Sequence, residues 1–187
     1  AAWEAERRRL RKVYQDALGP FPASQVEIIR RGTVARPGVV MHKILFSGPA
    51  GNWVPANVYL PRGAKGRVPA IVAACGHSAV GRMGYGSLIG VLVRNGYAVI
   101  GFDLIGMGER HIPHHGVAAY ATSTEHDIVG DKMLLAGGTL GWFMVQETMA
   151  AVSVLQMFPE IDPGRIGITG SSGGGWPCSR WRKWPAR

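Results

Sequence analysis

The chain has 187 residues, of which 47% are apolar and 27 are glycine, and its formal charge is +9. This length and apolar content suit one globular domain with many tight turns and exclude a disordered chain. Most of the positive charge lies in two segments, a cluster over residues 7–12 that acids flank and a tail over residues 176–187. We interpret the first as a solvated helix face and the second as an atypical tail, so we expect no nucleic-acid partner. Two cysteines, Cys75 and Cys178, provide no disulfide framework.

The N-terminal segment predicts an amphipathic helix over residues 3–18 that ends at Gly19-Pro20. Its apolar side would carry Trp3, Leu10, Tyr14 and Leu18. The first twelve residues are charged and lack the apolar segment of a signal peptide, so we expect a cytoplasmic protein. Gln146 and Glu147 interrupt the longest apolar region, so we expect neither a membrane span nor a membrane partner.

Two strand-like runs follow, Val39–Phe46 and Trp53–Leu60, with turn residues between them. This arrangement predicts an antiparallel pair of strands. Pro55 lies inside the second run, and a proline cannot donate to a strand ladder. We therefore expect that strand to lie at a sheet edge or to contain a bulge.

The remaining pattern alternates strands and helices. The predicted order is strand, helix, strand, helix, strand over residues 69–75, 84–95, 97–102, 139–158 and 166–169. Such an order predicts parallel strands with crossover helices, in a three-layer α/β sheet. In the helix over 84–95 we expect Leu88, Val91 and Leu92 to face inward, and in residues 104–138 we expect a long loop.

The last predicted strand runs into Gly170-Ser171-Ser172-Gly173-Gly174, which matches G-x-S-x-G with Ser172 at its centre. This motif is the nucleophile elbow, a turn so tight that small residues must flank a serine whose hydroxyl is exposed at a strand end. A serine hydroxyl is a poor nucleophile alone, and it needs a histidine base that a carboxylate orients.

Several segments together resemble the α/β-hydrolase superfamily, in particular its acetyl-xylan-esterase-like and dienelactone-hydrolase-like branch. The resemblance covers roughly residues 35–175, and its motifs lie at 68–77, 102–110, 124–126 and 159–175. It implies that Ser172 is the nucleophile and that the backbone N–H groups of His77 and Gly173 form the oxyanion hole. It further implies a small-molecule ester substrate, with no cofactor and no metal, and it leaves the oligomeric state open.

In this family the acid and the histidine of the triad follow the serine in chain order. Only fifteen residues follow Ser172, and none of them is His, Asp or Glu. We therefore expect the triad acid and histidine to be absent, the C-terminal half of the sheet to be missing, and ester turnover to be weak. The predicted organisation is an N-terminal helix and linker over 1–34, a partial hydrolase domain over 35–175, and a basic Trp-rich tail over 176–187.

The upstream histidines offer no obvious replacement base. The turn that holds His77 should supply backbone donors, so we expect its side chain not to act as the base. We expect His126 to shape the long loop together with Glu125. Three further histidines, His111, His114 and His115, match no standard zinc spacing, so we expect no metal site there.

Asp103 ends a predicted strand on the side where such sheets place active sites. We expect it to organise the Gly106–Gly108 turn, with Arg110, and not to take part in the chemistry.

Two other functions fit parts of the sequence. The run from Thr169 to Gly175 resembles the nucleotide-binding turn of short-chain dehydrogenases, but the final glycine position is Trp176 and no ribose-binding acid follows. A non-catalytic binding protein could use the Trp/Arg tail on membranes or single-stranded nucleic acid. Salt-dependent binding that disappears when residues 176–187 are deleted would identify that second function.

Overall fold

A mixed sheet forms the centre of the molecule. A computed structural model describes residues 2–22, 25–112 and 122–178. Within these residues six strands pair in the order β1-β2-β3-β5-β4-β6. Their bounds are β1 Ile28–Arg36, β2 Val39–Ser47, β3 Trp53–Pro61, β4 Val68–Ala74, β5 Ala98–Phe102 and β6 Ile161–Gly170.

The helices lie between and beyond these strands. They are α1 Ala2–Leu18, α2 Gly86–Arg94, α3 Thr122–Leu135, α4 Leu140–Gln156 and the short α5 Gly175–Cys178. The predicted N-terminal helix is confirmed, although none of its residues is buried. No single helix in the described part of the chain is long and apolar enough to cross a membrane, and only the pair α3 and α4, bent by 106°, has the required length and composition.

The predicted three-layer α/β arrangement is confirmed. β1, β2 and β3 pair antiparallel, whereas β4 is parallel to both β5 and β6. Alternate side chains of β4 and β5 enter two separate cores, because successive residues of a strand point to opposite faces. Val72 and Ile100 pack on the side of α4, and Ala73 and Val99 pack on the side of α2.

The structure corrects the prediction for Pro55. β3 lies inside the sheet, between β2 and β5, and its register with β2 contains no bulge. The Pro55 carbonyl accepts a hydrogen bond from the backbone N–H of Asp103, 3.2 Å away, just beyond the end of β5. The nitrogen and carbonyl of one strand residue point to the same side, so the missing N–H lies where the ladder with β5 ends, and the Asp103 carbonyl accepts from the Arg110 guanidinium instead.

Two elements were not predicted. The first is β1, which pairs with β2 along its whole length. The domain boundary predicted at residue 35 therefore falls inside a strand. The division into domains itself stays a prediction. Residues 122–135 form α3 and not the loop that we expected. α3 buries the side chains of Glu125 and Val129, which lie one turn apart. The charged residue on this buried face interrupts the apolar periodicity by which a helix is predicted from sequence.

The inward face of α2 also differs from the prediction. Leu88 and Val91 are exposed, whereas Ile89 and Val93 are buried against the sheet and Leu92 is partly buried. Leu, Ile or Val occupies every position from 88 to 93 except Gly90, so periodicity alone does not fix the rotation of this helix. Gly96, with φ of 84°, follows the helix end as predicted.

Candidate active site

Three strands end at the same edge of the sheet and bring the candidate site together. β4, β5 and β6 are parallel, so their carboxyl ends lie on one side. β6 leads into Ser172, β4 leads into His77, and β5 leads into the loop that contains Ile105. Residues far apart in the chain therefore meet at this edge.

The turn at Ser172 has the geometry of a nucleophile elbow. Ser172 has φ of 52°, in the left-handed region that non-glycine residues seldom adopt, and its side chain is exposed. A Cβ added to Gly174 would lie 2.6 Å from the carbonyl carbon of Ala74, and one added to Gly76 would lie 3.1 Å from the Ser172 Cβ. The glycines thus allow the backbones after β4 and β6 to approach closely enough to present the serine.

The side chain of His77 lies against this serine. Its Nδ1 is 2.9 Å from the Ser172 Oγ. The imidazole also lies over Gly173, where an added Cβ would lie 3.0 Å from the ring. We expected the side chain of His77 to take no part, and the structure instead brings it within hydrogen-bonding distance of the predicted nucleophile.

His126 extends this contact into the protein. Its Nδ1 lies 3.0 Å from the His77 Nε2, and its Nε2 lies 2.7 Å from the backbone carbonyl oxygen of Ile105. Burial lowers the pKa of His126 and therefore favours the neutral imidazole. The result is a line of hydrogen bonds that runs from Ser172 through two imidazoles to a fixed backbone carbonyl.

The loop that supplies Ile105 is held by Asp103. The Asp103 carboxylate accepts hydrogen bonds from the backbone N–H groups of Arg82, at 2.6 Å, and Glu109, at 3.0 Å, and it pairs with the Arg82 guanidinium. This confirms that Asp103 organises the turn after β5. Arg110 takes part through its guanidinium, which donates to the Asp103 backbone carbonyl, while the main ionic partner is Arg82, which the sequence analysis did not identify.

A second buried ion pair ties the same loop to α4. The Arg110 guanidinium donates two hydrogen bonds of 2.8 Å to the two carboxylate oxygens of Glu147, which is completely buried. Asn52 donates a further hydrogen bond of 2.9 Å to this carboxylate. Two parallel bonds between a guanidinium and a carboxylate fix orientation as well as distance.

Glu125 holds the start of α3 and not, as we expected, a loop shared with His126. Its buried carboxylate accepts from the backbone N–H of Ile112 and lies 2.9 Å from the His111 Nδ1. This hydrogen bond raises the pKa of His111. His114 and His115 lie outside the described residues.

Two further predictions concern Cys75 and the C-terminal tail. Cys75 directly follows β4 and is buried, as predicted for a small core residue. Burial raises the pKa of its thiol to about 12, so it is a poor candidate nucleophile. Residues 179–187 of the predicted basic tail lie outside the described residues.

Family comparison agrees with the geometry of the elbow. The model of the acetyl xylan esterase (AXE1) family matches residues 23–177. The chain belongs to the acetyl xylan esterase family. This match confirms the predicted branch of the α/β hydrolases, and none of the curated proteins compared with the chain matches its sequence.

Solved structures show the same fold. A candidate acetyl xylan esterase from Bacteroides fragilis NCTC 9343 superposes with a TM-score of 0.75 at 19% identity, over 91% of this chain and 47% of that one. Acetyl xylan esterase 1 from Thermoanaerobacterium sp. JW/SL YS485 gives 0.61 at 19% identity, over 84% and 49%. A dienelactone hydrolase-like promiscuous phosphotriesterase from metagenomic libraries gives 0.55 at 20% identity, over 76% and 53%. The chain thus spans about half the length of the solved structures that it matches.

Proposed function

We propose that this member of the acetyl xylan esterase family hydrolyses carboxylic esters through an acyl-enzyme formed on Ser172. The observation that carries the proposal is the exposed serine at a positive φ, with an imidazole nitrogen 2.9 Å from its hydroxyl oxygen. A serine and a histidine within this distance form the minimal unit that activates a hydroxyl nucleophile. The family match supports esters as the substrate class.

For the oxyanion hole we propose the donors predicted from the sequence, which are the backbone N–H groups of His77 and Gly173. The contacts of the His77 side chain, with the Ser172 hydroxyl and with Gly173, support this assignment. Two donors aimed at the developing negative oxygen stabilise the tetrahedral intermediate. The acyl group that we propose is acetyl, carried on a sugar hydroxyl, since the matched family is named for this activity.

We also propose that turnover by this chain is slow. The group behind His77 is the imidazole of His126, and a neutral imidazole lacks the negative charge with which a carboxylate stabilises an imidazolium. In the serine-protease template, replacing that carboxylate by an amide lowers kcat by about 10⁴. The family match favours an esterase over a nucleotide-binding protein. The alternative of a tail-dependent binding protein relies largely on residues 179–187, which lie outside the described residues.

The test is hydrolysis of p-nitrophenyl acetate by the chain and by two matched variants. Ser172→Ala should lower the rate to that of the buffer, whereas Ser171→Ala, a substitution at the exposed neighbouring serine, should retain it. If deacylation is slow, a burst of p-nitrophenol should precede the steady rate, which is the kinetic sign of an acyl-enzyme. Equal rates for the wild type and Ser172→Ala would contradict the proposal.

A further inference from the structure

A tyrosine side chain holds the turn that follows β4. The hydroxyl oxygen of Tyr85 lies 2.6 Å from the backbone nitrogen of Gly76. A backbone N–H can only donate, so the tyrosine oxygen is the acceptor of this hydrogen bond. Gly76 is buried, and without Tyr85 its N–H would be an unpaired donor away from water. The turn that carries His77 is therefore fixed near its start by a side chain from further along the chain.

The next N–H group of this turn differs from that of Gly76. His77 is exposed, and within the part of the chain that the structure describes its backbone N–H has no hydrogen-bond partner. An oxyanion hole needs such a donor, because an N–H that is already paired inside the protein is not available to a substrate oxygen. The two neighbouring N–H groups thus differ in role, since that of Gly76 fixes the turn and that of His77 is free to donate outward.

The same turn lies directly against the proposed nucleophile. A Cβ added to Gly76 would lie 2.8 Å from the Tyr85 hydroxyl oxygen and 3.1 Å from the Ser172 Cβ. Both groups therefore pack against one face of Gly76 and leave no room for a side chain there. A shift of the Gly76 backbone would consequently change the position of the His77 N–H relative to the Ser172 hydroxyl.

Two sets of contacts fix Tyr85 itself. The residue ends a short 3₁₀ helix, Gly81–Tyr85, which leads into α2. Asp103, just beyond the end of β5, holds the start of that helix, because its carboxylate accepts from the backbone N–H of Arg82 at 2.6 Å. The Tyr85 ring packs against the apolar cluster on the α2 side of the sheet. The hydroxyl therefore reaches the turn from a segment that is anchored at both ends.

We propose that Tyr85 is a positioning residue for the oxyanion hole, an inference that rests on the proposed esterase function. By accepting from Gly76, its hydroxyl fixes the backbone from which the His77 N–H donates to the ester carbonyl oxygen. That oxygen becomes negative in the tetrahedral intermediate, and donors that are fixed beforehand stabilise the charge without any reorganisation as it forms. Tyr85 acts through Gly76 in this role and makes no contact with the ester.

Removal of the hydroxyl alone tests this role. Tyr85→Phe keeps the ring in the apolar cluster, and the Ser172-dependent kcat for p-nitrophenyl acetate should fall by about tenfold with little change in KM, because a displaced donor weakens binding of the transition state and not of the substrate. The loss should stay below the roughly 10²–10³-fold that follows removal of an oxyanion donor, since the His77 N–H remains. Tyr59→Phe is the matched control and should retain the wild-type kcat, because Tyr59 packs against the same cluster while its hydroxyl lies beside the Asn57 amide.

Binding of methylboronic acid separates the oxyanion hole from the fold. Its tetrahedral adduct with a serine resembles the intermediate of acetyl transfer and places an oxygen in the oxyanion hole. The Kd for this adduct should rise by about tenfold in Tyr85→Phe and stay unchanged in Tyr59→Phe. A hydroxyl that only stabilises the fold would leave the Kd of the folded protein unchanged, and that result would overturn the inference.

Hydrogen exchange on the wild-type chain needs no variant to fold. The Gly76 amide should exchange slowly because it is buried and paired, whereas the His77 amide should exchange quickly. A Gly76 amide that exchanges as fast as that of His77 would overturn the inference, and so would an equal Ser172-dependent kcat in the wild type and Tyr85→Phe, while both results leave the proposed esterase function intact. Absence of any Ser172-dependent rate in folded wild-type protein would overturn both proposals.

Discussion

The buried ion pair between Arg110 and Glu147 should be sensitive to the loss of either partner. Arg110→Ala would leave the fully buried Glu147 carboxylate with Asn52 as its remaining hydrogen-bond donor. Removing one partner of a buried ion pair costs about 4 kcal/mol of unfolding free energy. With an m-value of about 2.5 kcal/mol/M for a chain of this size, the urea midpoint should fall by about 1.6 M.

Two comparisons separate the loss of charge compensation from loss of packing. The double variant Arg110→Met with Glu147→Gln removes both charges and keeps an acceptor for Asn52. Its urea midpoint should therefore fall by no more than half as much as that of Arg110→Ala. Arg9→Ala removes an exposed pair with Glu6 on α1 and should leave the midpoint unchanged. Urea unfolding followed by circular dichroism measures all four proteins. A midpoint for Arg110→Ala within about 0.3 M of the wild type would refute the argument.

Three further predictions concern the elbow, the core cysteine and the site histidine. Gly174→Ala would place a Cβ 2.6 Å from a backbone carbonyl carbon and should lower the melting temperature and abolish Ser172 reactivity, whereas Gly130→Ala, which meets nothing within 4 Å, should do neither. Cys75, with a thiol pKa of about 12, should resist iodoacetamide at pH 8 in the folded chain and react on unfolding, and rapid alkylation in the folded chain would contradict its burial. The pKa of His126 is lowered from 6.5, so its contribution to stability is present above that pH and is lost as the pH falls below it. The free-energy advantage of the wild type over His126→Asn should therefore shrink between about pH 7.5 and pH 5.5 in urea titrations, and a constant difference would count against the shift.

The parallel half of the sheet could be predicted because its signals are local. Short continuous apolar runs identify strands that are covered on both faces, and β5 is buried at every position. The regular part of β6 begins at Ile166, which pairs with Ala70 after an irregularity, and this matches the strand predicted from residue 166. The glycine-rich motif identified the elbow because only small residues permit such a close approach.

The missed elements lack such signals. β1 lies at the edge of the sheet and is largely exposed, with Arg30 and Arg31 on neighbouring positions, so neither alternation nor an apolar run identifies it. α3 buries a carboxylate, Glu125, that is satisfied by residues before the helix. In both cases contacts between residues that are distant in the chain decide the structure, and no local sequence pattern indicates them.

The site itself was predicted only in part for the same reason. The motif identified Ser172, but His77 is 95 residues away from it, and His126 is another 49 residues from His77. One signal could have drawn attention to His77, since it follows a parallel strand that ends at the same edge as the elbow. Nothing in the sequence indicates that its imidazole turns toward the serine.

The most direct test of the account is the site of fluorophosphonate labelling, mapped by mass spectrometry of peptides from the folded chain. We expect one labelled residue, Ser172, and no label in Ser172→Ala under the same conditions. Label on Ser171 or another residue, or an unlabelled Ser172 in protein that retains its circular dichroism spectrum, would contradict the claim that this elbow carries an activated serine.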